Sequence, residues 1–319
     1  MLSAHEVEMA YRLILGREPE SSAVVEDHRR VESLDALRDR FLQSPEFRSR
    51  TLRPIQTDID YCPALKIDTD LEQSVLRKMF ERVERCWQGL GNTEPYWSVI
   101  SADKFRSNTF NSHEAEFYNS GKGEAVRLLA WIARNHIDPA SIRTCCEYGC
   151  GVGRATGGLS SHFERVFAYD ISEPHLNLAR QHLLKEGRSN VTLHRIDSIA
   201  SLSNLEHVDV VFSIIVLQHN PPPVIAHILR MLLRSLNPGG LAFFQVPTYA
   251  LGYEFDAKHY LKSPPPAATC EMHVLPQSNI FRIALEEGCA VLEVQPDLYV
   301  RTQRWVSNTF LVQRDQARK

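Results

Sequence analysis

The chain reads as an α/β protein with a mostly parallel sheet of seven strands, preceded by a small helical region. Three observations predict this. From residue 142 onward, short apolar runs alternate with helix-like stretches, as in β-α-β units covered on both faces. The first run leads into C-C-E-Y-G-C-G-V-G-R at 145–154, with three glycines at every second position ahead of a helix-compatible stretch. Acidic residues follow the second and third runs, beyond the strand ends where open parallel sheets bind ligands.

The bulk numbers exclude several classes. A chain of 319 residues holds one large domain plus a small one, or two modest ones. Its net charge of −3 argues against broad affinity for nucleic acid or anionic membranes. No stretch approaches the roughly 20 apolar residues of a membrane helix. The start, M-L-S-A-H-E-V-E-M-A, lacks the basic-then-apolar pattern of a signal peptide. The seven cysteines are odd in number and form no C-x-x-C pair, so neither a disulfide framework nor a zinc ribbon is expected. Reduced thiols in a cytoplasm, with no metal, is the plain reading.

Residues 1–50 look helical. Met9, Leu13 and Ile14 form one apolar stripe, and Leu34, Leu37, Phe41 and Leu42 another. Ser33 starts the second helix and Ser44-Pro45 stops it. The segments A-Y-R-L-I-L-G-R-E-P-E at 10–20 and F-L-Q-S-P-E-F at 41–47 resemble the small helical domain first noted in phycobilisome linkers. That domain also occurs as an accessory module of bacterial surface-glycan enzymes. An anonymous helical hairpin is the other reading.

Residues 51–69 read as a linker within a 51–114 segment of helical and aromatic character. A charged amphipathic helix spans 71–87, and Gly89-Leu90-Gly91-Asn92 is expected to end it. The aromatic stretch from Pro95 to Gly121 shows no regular pattern. Trp97, Phe105, Phe110 and Phe117 pack it down, while Tyr118 and Gly121 are held as cofactor contacts. A helix follows over 123–136. Strands are then expected at 143–148, 166–169, 191–196, 208–217, 241–246, 290–294 and 306–312. Helices are expected at 154–162, 173–186, 223–236 and 277–287. No helical pattern separates the last two strands, so they form a hairpin with one strand antiparallel to the rest.

The strand ends carry the chemistry. Gly149, Gly151 and Gly153 let backbone turn sharply and a ligand approach the main chain, although an ordinary tight turn uses the same residues. Asp170 lies about 20 residues further on, a spacing at which a carboxylate accepts both hydroxyls of a ribose. Asp197 follows the third run, and a helix cap or loop charge is its plain alternative. Leu217-Gln218-His219-Asn220 follows the fourth. A dinucleotide dehydrogenase requires G-x-G-x-x-G. Here Arg154 occupies the third glycine position and the spacing is G-x-G-x-G.

Residues 115–314 therefore resemble a class I S-adenosylmethionine-dependent methyltransferase, a Rossmann-like fold. The fourth run D-V-V-F-S-I-I-V-L-Q-H and the later L-N-P-G-G-L fit that family's pattern. The resemblance implies S-adenosyl-L-methionine as cofactor and a methyltransferase domain over 115–319. Glu147, Gly149, Cys150, Gly151 and Gly153 would hold its methionine portion. Asp170 would take the ribose hydroxyls with Ile171 against adenine, and Asp197 and Ser198 would meet the adenine end.

His219 is the candidate catalytic base, and a loop-ordering histidine is its alternative. Tyr249, Tyr253 and His273, with Tyr260 and Glu271, would shape an acceptor pocket in a long loop over 247–276. Glu271-Met272-His273 alone is too sparse for a metal site. The expected acceptor is a hydroxyl of a small molecule or of a surface-glycan sugar, the glycan resting on the N-terminal resemblance. N-methylation of a small amine or protein side chain is the alternative within enzymes. A non-catalytic cofactor-fold binding module is the alternative outside them.

Overall fold

The computed structural model describes residues 2–44, 46–47, 63–264, 271–300 and 305–316. Pro45, residues 51–62, Cys62, Cys270 and residues 301–304 lie outside these, and with them the expected stop at Pro45 and most of the 51–69 linker. The chain divides into two compact units, Met1–Cys62 and Pro63–Lys319.

The small unit is helical, with α1 (Ala4–Ala10) running on into a π-helical turn at Tyr11–Leu15, α2 (Ser22–Arg29) and α3 (Leu34–Leu42). Ser3, Ser21 and Ser33 cap the three helices through their hydroxyls. The core includes the expected Leu37 and Phe41 with Val7, Ala10, Tyr11 and Leu15, and the expected Ile14 packs against it; of the first stripe, Met9 is outside the core and Leu13 is 77% exposed. The π-helical turn inserts an extra step and rotates the apolar face away from the simple helical period.

The large unit carries a seven-stranded sheet: β1 (Thr144–Tyr148), β2 (Arg165–Asp170), β3 (Val191–Arg195), β4 (Val208–Ser213), β5 (Leu236–Ala250), β6 (Cys289–Pro296) and β7 (Trp305–Arg314). Their spatial order is β3-β2-β1-β4-β5-β7-β6. All pairings are parallel except those of β7, which runs antiparallel to β5 and β6. Connections run outward from β1 to β3, then cross to β4, so the strand order reverses between β1 and β4. Ligands of such sheets sit beyond the strand ends at this point. Side chains alternate across the sheet. Cys146, Val211, Ala242 and Phe244 face one core, and Cys145, Val210, Phe212 and Phe243 face the other.

Four elements differ from expectation, each for a local reason. Helix α4 (Gln73–Thr93) continues through Gly89 and Gly91 instead of ending there. A Cβ at Gly91 would lie 2.7 Å from both His175 Nδ1 and Ser172 Oγ, so this glycine serves close packing rather than termination. The aromatic stretch contains α5 (Pro95–Val99) and two 3₁₀ turns, packed around Phe105, Phe110 and Phe117. Helix α6 (Glu114–Arg134) begins nine residues before the expected 123. A Cβ at its Gly121 would lie 1.9 Å from the Arg154 carbonyl oxygen, so Gly121 is the crossing point with the glycine-loop backbone. The expected helix at 154–162 shrinks to α7 (Thr156–Leu159).

Three further helices complete the layers: α8 (Glu173–Lys185), α9 (Pro222–Arg234) and, near the C-terminus, Gln277–Glu286. The described residues of the expected loop over 247–276 include regular elements. β5 runs to Ala250, Glu254–Phe255 pairs with Lys66–Ile67, and a short helix spans Ala257–Lys262.

Candidate cofactor site

The glycine loop forms one wall of a cavity at the reversal point. Gly149 and Gly151 both hold left-handed backbone, with φ of 80° and 53°. A Cβ at Gly149 would lie 2.3 Å from Val216 Cγ2, and one at Gly151 would lie 3.0 Å from Val99 Cγ2, so both face the opposite wall closely. Gly153, with φ 83°, turns instead toward Ala179 of α8 and stays outside the lining.

Glu147 and Asp170 stand on the same cavity. Glu147 is the penultimate residue of β1 and is buried, with its Oε2 accepting from Thr156 Oγ1 at 2.5 Å. Burial pushes its pKa up from the ordinary 4.5 to about 7, against the Thr156 hydrogen bond and the Arg154 charge. Asp170 ends β2. Its Oδ2 accepts from the Gly151 amide and its Oδ1 from the Ser172 amide, both at 2.8 Å, leaving a free lone pair on each oxygen. Cys150 and Ile171 also line the cavity. The loop thus presents two carboxylates to one space, one buried and one with ordinary backbone partners.

The far wall comes from the segment ahead of the sheet. Val83 and Trp87 of α4 and Ser98 and Val99 of α5 lie against Ile214, Ile215 and Val216 beyond β4. The Trp87 carbonyl accepts from Ser172 Oγ at 3.1 Å, and Gln88 Nε2 donates to the Ile171 carbonyl at 3.0 Å. His175 ties the two walls together, with Nε2 2.9 Å from Ser98 Oγ and Nδ1 2.7 Å from Ser172 Oγ. Burial lowers the His175 pKa, and the Asp170 charge opposes that shift. Nothing at the strand ends points to Ser98, Trp87 or His175. The signal for them was Gly91, a glycine inside an otherwise strong helical pattern.

Ile215 is a β-branched residue with φ 61°, a strained conformation. It explains why β4 stops at Ser213 rather than at the expected 217. Its amide donates to Gln245 Oε1 at 3.0 Å, while Gln245 Nε2 donates to Gln218 Oε1 and Ser307 Oγ. All of these side-chain atoms are buried, so the strain is held by a satisfied polar network.

The other expected site residues lie outside this cavity. His219 Nδ1 donates to the Glu271 carbonyl at 3.0 Å, which leaves Nε2 as the acceptor facing Gln218 Nε2 at 3.3 Å. Its ring sits edge-on to Trp87, and burial lowers its pKa to about 4. Both nitrogens are engaged and the ring is held neutral, an arrangement suited to ordering the loop rather than taking a proton. Tyr118 stacks on His182 and packs against the cluster that includes Val152, without lining this cavity. Asp197 is exposed and accepts from Ser198 Oγ at 3.2 Å, and Ser198 caps the 3₁₀ turn Ile199–Asn204.

The expected acceptor residues bond to one another and to the covering helix. Tyr253 Oη donates to His273 Nδ1 at 2.7 Å, and Tyr260 Oη donates to Glu271 Oε2 at 2.6 Å. Arg82 Nη2 pairs with Glu271 Oε1 at 2.7 Å, and its guanidinium lies over the Tyr260 ring. These partners hold the Glu271 carboxyl down at about 2 against the effect of its burial. Tyr249 Oη donates to the Pro63 carbonyl. Among the described residues no group of three His, Cys, Asp or Glu is placed to hold a metal, and no helix is long and apolar enough to cross a membrane.

The chain is similar to several known proteins. The chain is 29% identical over 154 residues to a ubiquinone biosynthesis O-methyltransferase of Nitrosospira multiformis, covering 46% of this chain and 63% of that protein. It is 31% identical over 115 residues to the protein of the same name from Stutzerimonas stutzeri, covering 36% and 47%. The chain thus spans less than two thirds of either relative. A solved magnesium protoporphyrin IX methyltransferase from Synechocystis with bound SAM is similar with a TM-score of 0.49 and 17% identity, over 78% of this chain and all of that one. The stretch that holds Glu147, the glycine loop, Asp170 and Ile215, residues 146–240, matches the family model described as a methyltransferase domain.

Proposed function

We propose that this chain transfers a methyl group from S-adenosyl-L-methionine to a small-molecule acceptor. The observation that carries the proposal is the pair Glu147 and Asp170 on one cavity, either side of a glycine loop, within the stretch that matches the methyltransferase domain. The donor set suits that cofactor. Glu147 would face its ammonium group, the two free lone pairs of Asp170 would take the ribose hydroxyls, and Ile171 would pack against the base. Gly149 and Gly151 keep the loop clear of side chains. When bound, the cofactor supplies an activated methyl group, so the protein's share is alignment and exclusion of water.

Trp87, Ser98 and Val99 would cover the reacting end, and the network from Ser307 through Gln245 and Gln218 would fix the Ile215 wall. We assign His219 to ordering this loop. The relatives named as O-methyltransferases support a hydroxyl acceptor of a small molecule. A surface-glycan sugar remains the finer proposal, resting on the N-terminal resemblance. The engagement of both His219 nitrogens favours one second reading, transfer to an amine, because a neutral amine attacks before it loses its proton.

Calorimetric titration with S-adenosyl-L-methionine tests the cofactor, and saturable binding is expected. Absence of binding in the micromolar range would reject the enzyme reading in favour of a non-catalytic module. A labelled-methyl transfer assay against separated small-molecule, glycan, protein and RNA fractions identifies the acceptor.

A further inference from the structure

A second cavity lies outside the cofactor site, between the first turns of α6, the glycines of α7 and the C-terminal end of α8. Its volume is about 240 Å³, against roughly 10–15 Å³ for a single water. Its charge is unusual. Lys122, Arg154 and Arg188 line it, and their side-chain partners among the described residues are neutral: Asn119 Oδ1, Ser120 Oγ and Ser161 Oγ. Lys185 also lines it but is paired with Glu114 at 3.3 Å.

The guanidiniums are under-satisfied. Arg154 is only 9% exposed. Four buried side-chain nitrogen or oxygen atoms among the described residues lack a partner, and Arg154 Nε and Arg188 Nε are two of them. A buried donor without an acceptor is costly, more so on a charged group. Both orphans belong to residues lining this one cavity. Gly157 leaves its floor open, since a Cβ there would meet only His182 Nε2, at 3.7 Å. The Tyr118–His182 stack forms a flat side wall.

The geometry points to an anion site here, one that takes a phosphoryl-type oxyanion. Three cations whose hydrogen-bond partners are neutral match an oxyanion of high charge, and its several acceptor oxygens suit two guanidiniums and an ammonium better than the two oxygens of a carboxylate. Glu186, also on the lining, offsets one of the three charges and leaves a net positive space. Arg154 lies on the walls of both cavities, so the site adjoins the cofactor site without sharing Glu147 or Asp170.

The test is calorimetric titration of the full chain with inorganic phosphate at constant ionic strength, for the wild type, Lys122→Gln, Arg188→Gln and the double variant. Both positions are at least partly exposed, and melting curves confirm that the variants fold. Saturable binding is expected, weakened roughly tenfold by each single change, about the worth of one charge-assisted hydrogen bond. It should persist at saturating S-adenosyl-L-methionine. Glucose 1-phosphate titrated in parallel separates an organic phosphate, if the ester binds tighter, from the free ion, if it does not. Absence of saturable binding, equal affinity in the double variant, or full displacement by the cofactor would overturn the assignment. The titration run without S-adenosyl-L-methionine measures the anion site alone, so its outcome stands apart from that of the methyl-transfer proposal.

Discussion

Replacing Glu147 by Gln isolates the cost of a carboxylate buried without an ion-pair partner. The carboxyl is wholly buried and its pKa is pushed from 4.5 to about 7. Because the folded-state value lies above the unfolded one, the folded chain holds the proton longer. Below pH 4.5 both states are protonated and the position costs nothing. As pH rises from there through 7, the unfolded state is favoured, and the penalty levels off at about 3 kcal/mol. Gln has the same shape and no charge, and its Oε1 still accepts from the Thr156 hydroxyl. The variant should match the wild type near pH 4.5 and exceed its stability above pH 8 by up to about 3 kcal/mol, a melting shift of roughly 6–12 °C for a unit of this size. Thermal unfolding from pH 4.5 to 8.5 measures this. The same variant should lose affinity for S-adenosyl-L-methionine but not for 5′-methylthioadenosine, which lacks the amino-acid chain. A stability difference that does not change with pH would refute the buried-charge reasoning.

Three further outcomes are expected. Gly151→Val forces a β-branched residue to φ 53° against Val99, costing about 1–2 kcal/mol in backbone strain alone. Calorimetry should then show cofactor binding lost while near-UV circular dichroism keeps the native signal. For His219, the folded pKa of about 4 lies below the ordinary 6.5, so stability falls as pH drops from 6.5 to 4, by about 3 kcal/mol. His219→Asn should flatten that acid limb, and His219→Ala should leave the shape of the kcat–pH profile between pH 6 and 9 unchanged; a kcat–pH limb that vanished with the ring would restore the base role. Glu271→Ala leaves Arg82 as an uncompensated buried cation, so denaturant unfolding should report a loss of about 3–5 kcal/mol, and a loss under 1 kcal/mol would show that the pair is solvated.

The sheet was legible because its signals are local. Apolar runs, the glycine triplet and the carboxylates at the ends of β1 and β2 all sit within a few residues of the features they predict. Residues whose role depends on distant partners were not legible. Gly91 reads as a helix end until His175 is seen packed against it. Residues 214–217 read as strand, because nothing adjacent shows that Gln245, 30 positions away, holds Ile215 in a left-handed turn. His219 has the sequence neighbourhood of a base, yet its state is set by the Glu271 carbonyl 52 residues later. Asp197 follows its strand as expected, but β3 is the edge of the sheet, and the carboxylate stays in solvent.

Arg82 gives the covering helix a particular place in the order of folding. Its guanidinium bonds to the Tyr260 and Ser263 carbonyls and to the Glu271 carboxylate, partners 178 to 189 positions downstream. Closing loops of that length is slow, and contacts of such sequence separation form late. Helix α4 is therefore synthesised among the first elements of its unit and secured among the last. Until residue 271 has left the ribosome, the wall that Val83 and Trp87 supply has no carboxylate to anchor its cation. A chain stopped short of that point keeps every glycine of the loop and both of the carboxylates facing it, but lacks the fastening of the opposite wall.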